Sequence, residues 1–209
     1  MATVPAWGVP PEPGTPTDVA APLLKFKSSG GSGRVATREE LLVLMTWLAS
    51  VAIGMIFCAF VSAFVVRQGL SGDWVRLALP RLVWLNTGLL LVSSLTLEIG
   101  RRRDSRAWLW VTTALGSLFL VGQLAAWREL AAHGVSLGTT PYGSFFYLFT
   151  GAHGVHLVTG LAALAAAALW PGRGLYATPR AAVVRASAIY WHFLDALWLG
   201  LFLLLTLGR

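Results

Sequence analysis

Residues 145–170 read FFYLFTGAHGVHLVTGLAALAAAALW, a run with no Asp, Glu, Lys or Arg. As a helix rising about 1.5 Å per residue, it is longer than the roughly 30 Å of a bilayer's hydrocarbon core. Four more predominantly apolar runs lie at about 41–66, 81–99, 107–127 and 184–207. Hydrophobic residues make up 56% of the chain and charged residues only 12%, against about 25% charged in a soluble domain. Too few charges remain to solvate a water-soluble globule, which excludes a cytosolic enzyme. The basic balance, pI ≈ 10.5, does not point to nucleic acid, because the arginines sit at the ends of apolar runs. The predicted class is all-α, a polytopic membrane protein built as a five-helix transmembrane bundle over residues 37–209. Residues 1–36 carry Pro5, Pro10, Pro11, Pro13, Pro16 and Pro22, then a Ser/Gly run over 28–33. Such a segment has too little apolar surface to offset its ordering entropy, so it is expected to be a disordered cytoplasmic tail. It lacks the apolar core and small-residue cleavage site of a signal peptide.

Orientation follows from the basic residues that flank the runs. Lys25, Lys27, Arg34 and Arg38, then Arg101, Arg102, Arg103 and Arg106, then Arg173, Arg180 and Arg185 fall on one side. Arg67, Arg76, Arg81, Arg128 and Arg209 fall on the other. The richer side is cytoplasmic, so the amino terminus is expected inside and the carboxyl terminus outside. Trp74, Trp84, Trp108, Trp110, Trp127 and Trp170 lie near run ends, where amphipathic rings anchor the interface. Gly151, Gly154 and Gly160 suit close helix packing in lipid.

Ionisable groups inside hydrocarbon need a reason to be there. His153 and His156 share a face of the fourth run, and His192 and Asp195 share a face of the fifth. At equal depth in neighbouring antiparallel helices, a fourth-run histidine (His156 by depth, His153 as reserve) is expected to hydrogen-bond Asp195 or His192. The same residues also allow a proton relay or a metal site, and spacing alone favours structural hydrogen bonding. Glu98, one turn before Arg101–Arg103, reads as an interfacial ion pair. Asn86 and Ser93 read as interhelical hydrogen-bonding groups. Arg101, Arg102 and Arg103 anchor topology, with anionic lipid head groups as possible contacts. The single cysteine, Cys58, cannot build a thiolate metal centre. Four histidines are too few for two haems and a copper.

Two stretches resemble a known family. Ser144-Phe145-Phe146-Tyr147 followed by Thr150-Gly151-Ala152-His153-Gly154-Val155-His156 is similar to the Phe-Phe…Thr-Gly-x-His-Gly-x-His signature of subunit III of the haem-copper oxidases. Tyr190-Trp191-His192-Phe193-Leu194-Asp195-Ala196-Leu197-Trp198 resembles the Tyr-Trp-His-Phe-x-Asp-x-x-Trp of that family's last helix. Leu85-Asn86-Thr87 with Leu89-Leu90-Leu91 and Ser93-Ser94 looks like a further element. The resemblance covers about 80–207 and is weaker over the first run. It implies a non-catalytic subunit of a cytochrome c oxidase in a bacterial plasma membrane. Haem and copper would lie on the partner subunits I and II, with direct packing on subunit I, bound phospholipid, support of proton uptake, and no nucleic acid. A quinol oxidase or nitric-oxide-reductase accessory subunit, or an autonomous proton channel or transporter, is the alternative. The chain departs from the family's longer members in two ways. It has five runs rather than seven, and Leu48-Ala49-Ser50-Val51 places Val51 where those members carry an intramembrane glutamate.

Overall fold

The computed structural model describes residues 37–70, 80–170 and 179–207. The expected tail, Trp74, Arg76, Arg173 and Arg209 lie outside the described residues. Among the described residues there are five helices: α1 (Arg38–Leu70), α2 (Arg81–Arg102), α3 (Arg106–Ala132), α4 (Pro141–Leu169) and α5 (Arg180–Leu207). All five are long and apolar enough to cross a membrane.

The helices run further than the apolar count, because their caps lie beyond the hydrocarbon. Before α1, the Thr37 amide donates to Glu40 Oε2 and the Glu40 amide donates to Thr37 Oγ1, a reciprocal capping box that starts the helix three residues before position 41. At α4 the Thr140 hydroxyl oxygen accepts from the Gly143 amide, and Pro141 occupies the first turn, where a missing N–H costs nothing. The turn leading into α4 passes through Gly134 and Gly138 at φ 77° and 91°, a region that side chains disfavour.

Helices α2, α3, α4 and α5 close a four-membered ring in which each packs on the next and α5 returns to α2. Helix α1 stands outside the ring, against α5 and, more lightly, α4. Only Ser50, Phe57 and Phe64 of α1 are buried. The outer surface is the reverse of a soluble protein's: Val155 is 68% exposed, Leu95 66% and Met55 63%. Apolar side chains in such number outside, with polar ones inside, require hydrocarbon as the surrounding medium. The molecule is a multi-pass membrane protein. Several hydroxyls along the spans turn back onto their own helices, as Thr46 donates to the Leu42 carbonyl and Thr87 to the Val83 carbonyl, which satisfies the hydroxyl proton without water.

One end of the bundle gathers the basic groups. Arg180 binds the Asp104 carboxylate at 2.6 Å and Arg106 donates to the Trp170 carbonyl, which ties the α2–α3 turn to the ends of α4 and α5. Arg101 and Arg102 share the Glu98 carboxylate at 2.8 and 2.7 Å, the interfacial ion pair expected from the spacing.

Candidate functional site

The family-like residues converge inside the ring in two layers. In the layer nearer the carboxyl end of α5, Trp198 is the central ring. Its indole N–H donates to Thr87 Oγ1 at 3.1 Å. Phe119 meets it edge-on at 4.9 Å between centroids, and His153 lies tilted against it at 5.1 Å. His153 is fully buried and neither of its ring nitrogens has a hydrogen-bond partner. Asn86 Nδ2 and both amide atoms of Gln123 are also buried without one. Asn86 fits only because Gly122 faces it: a Cβ there would collide with the carboxamide. One turn outward, Thr150 accepts from the Trp127 indole at 3.0 Å and donates to the Phe146 carbonyl. Gly151 lies under the same indole and Gly154 against Leu120.

In the second layer Trp191 fills the ring. Its indole N–H donates to Ser93 Oγ at 3.1 Å, and its six-membered ring lies over Gly116 of α3 and Gly160 of α4. Beside it, His192 Nδ1 and Ser94 Oγ are 2.6 Å apart, a hydrogen bond whose donor depends on the tautomer. The same serine hydroxyl adjoins the Asp195 carboxylate, neither of whose oxygens completes a hydrogen bond within accepted geometry. The Tyr190 hydroxyl donates to the His156 carbonyl at 3.3 Å. Phe193 turns the other way, onto Gly54 of α1.

The expected pairing of a fourth-helix histidine with Asp195 or His192 is therefore corrected. His156 Nδ1 donates to the Ala152 carbonyl of its own helix at 2.7 Å, and its ring faces Phe57 of α1. His153 is stacked among aromatic rings, and His192 bonds to α2 instead of α4. The reason is rotational. Equal depth brings two residues to one level, but Trp191 and Trp198 fill the ring interior, so His156 and His192 lie at its flanks while His153 stays inside, stacked on Trp198. Val51 is exposed, whereas its neighbour Ser50 is buried, so position 51 points away from the histidines. Among the described residues no three His, Cys, Asp or Glu side chains come together as a metal-ligand set. The reading along the chain missed Gln123 and Phe119. Gln123 was detectable as a lone carboxamide in an apolar run, but Phe119 carries no signal of its own.

Comparison with known proteins places this arrangement. Residues 40–207 match the family model described as Cytochrome c oxidase subunit III. A probable cytochrome c oxidase subunit 3 of Mycobacterium tuberculosis (strain ATCC 25618 / H37Rv) is 34% identical over 170 residues, 76% of this chain and 82% of that protein. One from Nocardia farcinica is 31% identical over 172 residues, 75% and 81% of the two chains. The cytochrome c oxidase subunit 3 of Thermostichus vulcanus is 32% identical over 181 residues, 79% and 86%. These matches lend no support to a quinol-oxidase, nitric-oxide-reductase or transporter reading. With five spans, a closed aromatic and polar interior, and this similarity along most of its length, the chain belongs to the cytochrome c oxidase subunit III family and is a membrane subunit of a terminal oxidase of aerobic electron transport.

Proposed function

We propose that this chain performs no redox chemistry itself and serves as a packing and stabilising subunit for the oxidase's catalytic core. Haem and copper belong to subunits I and II in this reading, and the helices described here pack on subunit I and support its proton uptake. The observation that carries it is the interior. His153, Asn86, Gln123 and Asp195 are buried, and His153 is packed between Phe119 and Trp198, so the polar residues are enclosed in side-chain packing rather than opened to a substrate. The membrane is a bacterial plasma membrane. Residues 37–209 are its transmembrane domain and 1–36 a cytoplasmic tail. Arg38, Arg101–Arg103, Arg106, Arg180 and Arg185 mark the cytoplasmic end, and the carboxyl terminus is outside. Extraction in mild detergent is expected to recover the chain bound to a haem- and copper-containing subunit. Recovery as a stable lone monomer, with the oxidase intact without it, refutes the reading.

The arginine rim supports a second part of the proposal, retention of anionic phospholipid. Glu98 neutralises part of the cluster, and Arg103 is exposed beside it. Each basic residue near a charged head group contributes about 1 kcal/mol, screened by salt. A variant with Arg101, Arg102 and Arg103 all changed to Gln is expected to retain less anionic lipid when the purified complex is analysed by lipid mass spectrometry. Equal lipid in both would leave the cluster a topology signal only.

A further inference from the structure

Buried polar groups in this bundle sit among protein, but the His192 imidazole does not. His192 is exposed on the outer surface of α5. It lies twelve residues from the start of a helix that runs Arg180–Leu207, about 18 Å along the axis and close to its midpoint. Its Nδ1 is engaged with Ser94, while the rest of the ring edge faces outward. Asp195, the next turn on, is buried with neither oxygen completing a hydrogen bond, so Ser94 is the partner this chain supplies to the patch and the outer edge of the imidazole is left to a neighbour. Below it on the same stripe are Ala196, Leu199, Gly200 and Leu203, all exposed. A Cβ added at Gly200 would meet nothing within 4 Å. The fold of this chain therefore does not require a glycine there, although glycine inside a helix costs about 1 kcal/mol relative to alanine.

We propose that the α5 stripe His192–Ala196–Leu199–Gly200–Leu203 is the seat of a transmembrane helix from another oxidase subunit, one that presents a hydrogen-bonding side chain to the imidazole at mid-membrane depth. The occupant follows from chemistry. Acyl chains cannot hydrogen-bond, and a lipid head group stays about 15 Å away at the interface. An ionisable group at this depth faces protein or water as a rule, and facing lipid alone is costly. Small residues at 196 and 200 let a partner backbone come close, the usual geometry of helix association in membranes. Among the described residues no other imidazole or charged group is exposed at this depth: α3 presents Leu118, Val121 and Leu124, and α1 presents Leu48, Val51 and Met55 with the weakly hydrogen-bonding Cys58 thiol.

This inference rests on the subunit reading above and specifies which face meets the partner. The test uses the assembled oxidase in native membranes, with a photo-crosslinking benzoylphenylalanine placed in turn at Leu199, Val121 and Met55. The position 199 probe is expected to form an adduct with another oxidase subunit, identified by mass spectrometry. Adducts at 199 with lipid only, or with a second copy of this chain, overturn the docking proposal while the chain still co-purifies with haem. Failure to co-purify with haem overturns both readings. In parallel, His192→Leu is expected to weaken retention of the chain in the complex by about three- to tenfold under detergent challenge, the value of one membrane-buried polar contact. His192→Gln should restore most of it. Unchanged retention in His192→Leu removes the polar contact from the proposal.

Discussion

Trp198→Ala is expected to destabilise the subunit by about 3–5 kcal/mol, the range for removing a large buried aromatic side chain. The indole joins three helices of the ring. It packs on Phe119 of α3 and His153 of α4 and donates to Thr87 of α2. Its removal leaves a cavity beside groups that already lack polar partners, so no neighbouring side chain can refill the space with compensating hydrogen bonds. Trp198→Phe keeps much of the packing and loses the bond to Thr87, and should cost about 1 kcal/mol beyond the lost volume. Thermal unfolding of the purified complex, followed by release of this subunit, measures both. Val155→Ala, on a lipid-facing surface, should change the midpoint little. Equal shifts for Trp198→Ala and Val155→Ala would show that the ring does not depend on this residue.

Gly116→Leu should be comparably severe for the opposite reason. A Cβ at position 116 would already stand 2.5 Å from the Trp191 ring and 2.9 Å from Leu161, and leucine adds three more carbons. Overpacking of a filled core typically costs about 1–3 kcal/mol. Displacing the indole also breaks its bond to Ser93, about 1 kcal/mol more. Loss of the subunit from the complex at growth temperature is the expected outcome. Gly88→Leu is the control, since a Cβ there meets nothing within 4 Å and the position is exposed on α2. If Gly116→Leu unfolds no earlier than Gly88→Leu, the seating of the Trp191 ring on Gly116 is wrong.

These residues also mark where reading along the chain reaches its limit. The five spans were legible because hydrocarbon imposes a length and an apolar composition on any helix that crosses it. The apolar run puts the start of α1 at about 41, three residues late, because it does not register the Thr37–Glu40 cap that sets it. Several residues of the family-like stretches lie inside the bundle: Trp191, Trp198 and Thr150 are buried, as is Asn86 of the Leu85-Asn86-Thr87 element. What failed was the partnership between them. Depth can be counted in residues, but the rotation of α5 against α4 depends on which bulky ring wins the shared space. Trp191 and Trp198 won it, and His156 and His192 were turned toward α1 and α2. Gly116 shows the same limit: nothing beside it in the chain indicates that an indole from α5 will rest on its Cα.

The placement of α1 outside the ring has a bearing on biogenesis. Among the five described helices it leaves the ribosome first, yet the helices it packs against, α4 and α5, are made last. At ordinary translation rates it waits on the order of ten seconds in the bilayer with no neighbour. It is the most apolar of the five spans, which allows it to persist as a lone helix in the lipid. The ring partners, by contrast, are synthesised one after another and find each other as they emerge. Completion of α5 is thus a single event that closes the ring and captures the first helix, so a chain stalled before its last span has neither.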